Sequence, residues 1–156
     1  AALDPSLHTK VSEILKVRVG ADAPDVDLPA SPAPVPLRSI VGQNRFTALF
    51  FYSSTCEHCH LEMPVMKEVY TAFKPKGLEV VGIALDADSI EFQAAIAENG
   101  LPWKCYSEFN GWGSACAKAF QVKATPYFYL LDQRMRIVAK PVDAVALGVW
   151  LQENVK

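Results

Sequence analysis

Four cysteines in 156 residues are too few for a disulfide scaffold, so they serve chemistry or burial rather than stapling. Charge of one sign is also missing. Lys and Arg total 15 against 17 Asp and Glu, and the two signs are interspersed. Such a chain offers no basic field to collect phosphates, and a nucleic-acid partner is not expected. Long hydrophobic runs are absent. The longest, Phe46 to Tyr52 and Val80 to Leu85, fall far short of the roughly 20 residues of a membrane-spanning helix. No internal repeat or low-complexity tract is visible. The chain opens Ala1-Ala2-Leu3 without an initiator Met, a basic n-region or a long h-region, and an export signal or upstream domain is expected to have been left out or removed.

What is present is a chain 51% apolar, enough for one domain to bury a core unaided. Asp4-Pro5 reads as an N-cap with proline at the first helical position, and Leu7, Val11, Ile14 and Leu15 follow at helical spacing. A short amphipathic N-terminal helix is expected. Gly20 to Pro36 holds five prolines and suits an extended wrap, with a strand expected near Val35 to Ile40.

Phe46 to Tyr52 is almost continuously apolar, the pattern of a strand buried on both faces. Beyond Ser53-Ser54-Thr55 a helix should begin, burying Met63, Met66, Val69, Tyr70 and Phe73 and stopping at Pro75-Lys76-Gly77. Val80 to Leu85 reads as a second buried strand. Asp88-Ser89-Ile90-Glu91 then has capping-box spacing for a helix ending at Asn99-Gly100. Trp103 to Ser107 reads as a short strand and Gly113 to Phe120 as a helix. Tyr127–Leu131 and Arg136–Lys140 form a hairpin, and a last helix runs from about Asp143 to Asn154. This order implies an α/β fold with a mixed sheet covered on both faces.

The chemistry centres on Cys56-Glu57-His58-Cys59-His60. Cys-x-x-Cys is a dithiol couple or half of a metal clamp, and Cys-x-x-Cys-His is also the attachment signature of a c-type haem. Thiolates attack disulfides, and a helix N-terminus stabilises a thiolate through unpaired backbone amides and the positive end of the dipole. Cys56 holds that position. Cys59, one turn further in, suits the resolving step. His58 favours the Cys56 thiolate and Glu57 opposes it, so this dipeptide tunes the potential.

These features resemble the thioredoxin-fold superfamily, specifically exported thiol-disulfide oxidoreductases of the TlpA/ResA type (AhpC/TSA-like). The resemblance is carried by Leu49-Phe50-Phe51-Tyr52 running into the motif, Pro64 five residues after Cys59, Thr125-Pro126 before a strand, and Gly20 to Leu28 as the N-terminal lead-in. It implies a thioredoxin-like domain over residues 20–156 with a helical extension at 1–19. It also implies a cis Pro126 facing the disulfide, backbone near Thr125 and Pro126 pairing with an extended substrate segment, and Glu62 as a carboxylate relaying a proton for Cys59. Two departures stand out: Ser53-Ser54-Thr55 replaces the usual Trp, and the strand before the motif lacks the buried acid of classical thioredoxins. Glu62 is then the only nearby acid expected. Pro64 is expected to kink the helix.

A haem site would need a proximal His60 free to face iron and a distal ligand. Met63 and Met66 sit badly for that, and no haem is expected. A zinc or copper module using Cys56, Cys59 and either His58 or His60 is the main rival, although a closed zinc site draws on a second ligand pair, which Cys105 and Cys116 are not spaced to supply. A peroxiredoxin-like peroxidase shares the fold and has Thr before its reactive Cys, but lacks here the upstream Pro. Cys105 and Cys116 read as buried, inert thiols. The function expected is disulfide exchange with protein partners, reductase rather than oxidase. No cofactor or metal is required, the location is periplasmic or otherwise exported, and a membrane-bound thiol-disulfide partner recharges the couple.

Overall fold

Asp4 caps a helix over Pro5–Leu15 (α1), accepting from Leu7 N at 3.0 Å, in a computed structural model that describes residues 4–155. Residues 1–3 of the expected extension lie outside the described residues. The cap and start of α1 follow the sequence, but its apolar stripe is not covered: Leu7, Val11, Ile14 and Leu15 are all exposed and α1 buries no residue. Among the described residues, Val17 is the first whose side chain enters the core.

The proline-rich stretch forms a two-stranded ladder, Asp27–Leu28 (β1) against Val35–Pro36 (β2). The strand expected as far as Ile40 ends there. Pro36 is extended (φ −62°, ψ 131°) and serves as the N-cap of Leu37–Val41 (α2). Leu37 and Val41, four apart, both bury completely, and this helical spacing overrides the short apolar run.

Among the described residues, five further strands form one mixed sheet in the order Lys104–Tyr106, Leu78–Ala84, Phe46–Tyr52, Tyr127–Asp132, Ile137–Ala139. Phe46–Tyr52 (β3) is central, parallel to Leu78–Ala84 (β4), which is parallel to Lys104–Tyr106 (β5). Tyr127–Asp132 (β6) runs antiparallel to β3, and Ile137–Ala139 (β7) closes the hairpin. Every residue of β3 after Phe46 is buried, because helices cover both faces. Ala48, Phe50 and Tyr52 face a core with Met63 and Met66 of Glu57–Phe73 (α3), Phe92 of Ser89–Asn99 (α4), and Leu147 and Leu151 of Ala144–Asn154 (α6). Leu49 and Phe51 face Leu37 and Val41 of α2 and Cys116 and Ala117 of Ala115–Ala119 (α5).

Caps end the elements as the sequence indicates. Asp88 accepts from Ile90 N, Asp143 from Ala146 N, and Gly77 and Gly100 adopt the left-handed conformation that glycine tolerates. The helix expected over 113–120 is shorter, because Gly111–Gly113 winds as a 3₁₀ turn and Ser114 caps α5 through Ala117 N. No helix among the described residues is long and apolar enough to cross a membrane.

Candidate active site

The C-terminal end of β3 delivers the chain through Ser53-Ser54-Thr55 to Cys56, the N-cap of α3. Cys56 is extended (φ −87°, ψ 110°), and its Sγ accepts from Cys59 N at 3.2 Å. Sulfur thus occupies the place of a capping oxygen, satisfying a first-turn amide where the helix dipole favours negative charge. Cys56 and Cys59 are joined as a disulfide, their Cα atoms 5.2 Å apart. Their depths differ: Cys56 is partly exposed and Cys59 is 0% exposed.

The peptide between Thr125 and Pro126 is cis, and Thr125 O lies 3.8 Å from Cys56 Sγ. Thr125 and Pro126 are partly exposed, and the main chain there borders the sulfur. Glu62 is buried. Its Oε2 accepts from Ala144 N at 3.2 Å and its Oε1 lies 3.7 Å from His58 Nε2. Glu57 and His58 are exposed, and the His58 side chain keeps 68% of its surface in water. Pro64 lies inside α3, where it removes the amide that would pair with His60 O.

Asp86, just past β4, is 3% exposed. It accepts from Ser54 N at 2.7 Å, from Ser54 Oγ, and from Ser53 Oγ at 3.3 Å. Glu62 is therefore not the only buried acid near the couple, as the sequence led us to expect. The signal for Asp86 was slight: one acid directly after a buried strand, overshadowed by the capping residue Asp88.

His60 makes its hydrogen bonds to groups other than the cysteines. Its Nε2 meets Ser54 O at 2.6 Å and its Nδ1 meets Asn99 Nδ2 at 3.2 Å. With both nitrogens engaged it is unavailable to iron, zinc or copper, and among the described residues no three His, Cys, Asp or Glu side chains form a metal-holding group. The ligand set of the metal reading is not assembled. Cys105 and Cys116 are unpaired, and burial pushes their thiols up to about 11 and about 12.

A family model described as AhpC/TSA matches residues 19–140. The chain belongs to the AhpC/TSA family. It is 30% identical over 128 residues to the thiol-disulfide oxidoreductase ResA of Bacillus cereus, covering 80% of this chain and 70% of that protein. To ResA of Oceanobacillus iheyensis it is 31% identical over 99 residues, covering 60% of this chain and half of that relative. Among solved structures, a thiol-disulfide oxidoreductase from Bacteroides fragilis superposes with a TM-score of 0.76 at 27% identity, covering 85% of this chain and 98% of that one. The thioredoxin domain of a thiol-disulfide oxidoreductase from Bacteroides vulgatus gives 0.78 at 22% identity, covering 89% and 99%. The AhpC/TSA chain thus has the thioredoxin-like fold. It is a domain of the thiol-disulfide oxidoreductase type, and its Cys56 and Cys59 lie at disulfide distance.

Proposed function

We propose that this domain reduces disulfides in protein partners on the exported side of a bacterial inner membrane, and that a membrane-bound thiol-disulfide partner recharges it. The thioredoxin-like unit is residues 20–156, with 1–19 as a helical extension. The observation that carries the reading is the difference in depth between a partly exposed, helix-capping Cys56 and a fully buried Cys59.

In the reduced form the Cys56 thiolate attacks one sulfur of a substrate disulfide. The S–S bond breaks, the other substrate sulfur leaves as a thiolate and takes a proton, and a mixed disulfide with Cys56 remains. Cys59 then gives up its proton to Glu62, one turn along α3, and attacks Cys56 Sγ. The Cys56–Cys59 bond closes and the second substrate sulfur departs. Two electrons have passed to the substrate, and the recharging partner restores them. The backbone at Thr125 and Pro126 borders Cys56 and receives the extended substrate segment, while Glu57 and His58, exposed on the first turn, tune the potential in opposite senses.

Replacing Cys59 by Ser stops the second step and should accumulate the substrate as a mixed disulfide on Cys56, separable on a non-reducing gel. Absence of any trapped protein from the native compartment would count against protein substrates. A reduction potential near about −270 mV supports the reductant role, and one near about −120 mV would reverse the direction of electron flow.

A further inference from the structure

Ser54 is held on three atoms by side chains from other elements. Its N–H and its Oγ–H both donate to the Asp86 carboxyl group, and its carbonyl accepts from His60 Nε2 at 2.6 Å. Ser54 O can only accept, and Asn99 Nδ2, which also donates to Ala95 O at 2.8 Å, can only donate. These partners place the imidazole proton on Nε2. Asp86 is itself fixed, since its carbonyl accepts from Gly111 N at 3.3 Å. Two segments thus hold Ser54 directly, the chain just past β4 and the first turn of α3, and these are braced in turn by Gly111 on Asp86 and by Asn99 of the last turn of α4 on His60.

The turn these groups hold is the one that places Cys56. Ser53 O accepts from Cys56 N at 3.1 Å, and Ser53 Oγ meets Thr55 N and Thr55 Oγ1 at 3.3 and 3.1 Å. Ser53, Ser54 and Thr55 bring no large apolar side chain, so packing cannot set their position and hydrogen bonds must. A buried carboxyl group is costly unless its oxygens are paired, and all the side-chain donors to Asp86 come from this turn. The Cys56 Sγ contact with Cys59 N, 3.2 Å long, depends on where the turn leaves the chain.

We propose that Asp86 and His60, acting through Ser54, are positioning residues that keep Cys56 at the α3 N-cap, where its thiolate is stabilised. The inference rests on the reading of Cys56 as the attacking thiol. Loss of either clamp lets the turn drift, weakens the amide contact to sulfur and leaves the thiol less ionised. Asp86→Asn preserves the arrangement, because its amide oxygen still accepts from Ser54 N while its NH₂ donates to Ser54 Oγ.

The test is the rate of Cys56 alkylation by iodoacetamide in the reduced full chain, followed across pH, beside the reduction potential in glutathione buffer. Asp86→Ala and His60→Ala should each slow alkylation at pH 7 by about tenfold or more, the scale of effect expected when a reacting atom is misplaced. Both should move the profile to higher pH with circular dichroism unchanged, and Asp86→Asn should stay within about threefold of wild type. A folded Ala variant with the wild-type rate and profile overturns the proposal. Should Asp86→Ala fail to fold, Asn99→Ala, which frees only the outer edge of His60, must still shift the profile for the proposal to stand. A wild-type chain that forms no Cys56–Cys59 couple in glutathione buffer would instead overturn the function itself.

Discussion

Glu62 Oε2 accepts the backbone N–H of Ala144 at 3.2 Å, tying the helix that carries the redox pair to the first residue of α6. Two roles therefore meet in one carboxyl group. It is the buried acid nearest in sequence to Cys59, and it satisfies a first-turn amide of a helix 82 residues away.

The two roles separate by substitution. Glu62→Gln keeps an oxygen for Ala144 N and should hold unfolding free energy within about 0.5 kcal/mol of wild type while slowing release of the mixed disulfide. Glu62→Ala leaves the buried amide unpaired and should cost about 1–3 kcal/mol in addition. Urea unfolding gives the first quantity and single-turnover exchange the second; equal stability of the two variants would show that the Ala144 contact contributes nothing.

The two unpaired thiols make the fold sensitive to alkali. Burial raises Cys105 from 9.0 to about 11 and Cys116 from 9.0 to about 12. The unfolded chain ionises both near pH 9 while the folded chain keeps both protons. Stability is thus fully present below about pH 9 and lost as pH rises, by up to ~1.4 kcal/mol per pH unit for each thiol. Urea midpoints of the oxidised protein should be level from pH 7 to 8.5 and fall steadily above 9, with a shallower fall in Cys116→Ala. Tyr52 and Tyr129, also raised by burial, extend the trend to higher pH.

Gly82 has no room for a side chain. A Cβ there would lie 2.8 Å from Cys105 Sγ and 3.3 Å from Trp103 Nε1. Gly82→Ala should destabilise the domain by about 1–3 kcal/mol through overpacking between β4 and β5. Adding Cys105→Ala, which removes the nearest atom, should recover part of that loss. Thermal unfolding of the single and double variants measures both.

Helix α1 buries none of its residues, and among the described residues its side-chain bond to the domain is Gln121 Nε2 donating to Glu13 Oε2 at 3.3 Å. Removing residues 1–15 should change unfolding free energy by less than about 1 kcal/mol, because little apolar area returns to water. The exchange rate of the redox pair should be unchanged. A large loss in either would show that the helix contributes to the domain through contacts other than those described.

The alternation of buried strands and capped helices was legible in the sequence, because apolar periodicity and caps act within a few residues. Phe46–Tyr52 is such a case, and so are Asp88 before α4 and Asp143 before α6. The strand expected near Val35 to Ile40 stops after Pro36 for a related reason. Leu37, Ile40 and Val41 fit a helical turn as well as a short apolar run, and burial of Leu37 and Val41 decided for the helix.

The sequence by itself determined that two cysteines sit at the start of a helix after a buried strand, and the resemblance carried by Leu49 to Tyr52, Pro64 and Thr125-Pro126 pointed from there to disulfide exchange. It could not determine what holds them. The bonds from Ser54 to Asp86 span 32 residues, the contact of Asn99 with His60 spans 39, and that of Glu62 with Ala144 spans 82. Hydrogen bonds of such span leave no periodic or neighbouring trace in the chain. Only the packing of β4, α3, α4 and α6 brings these donors and acceptors within reach.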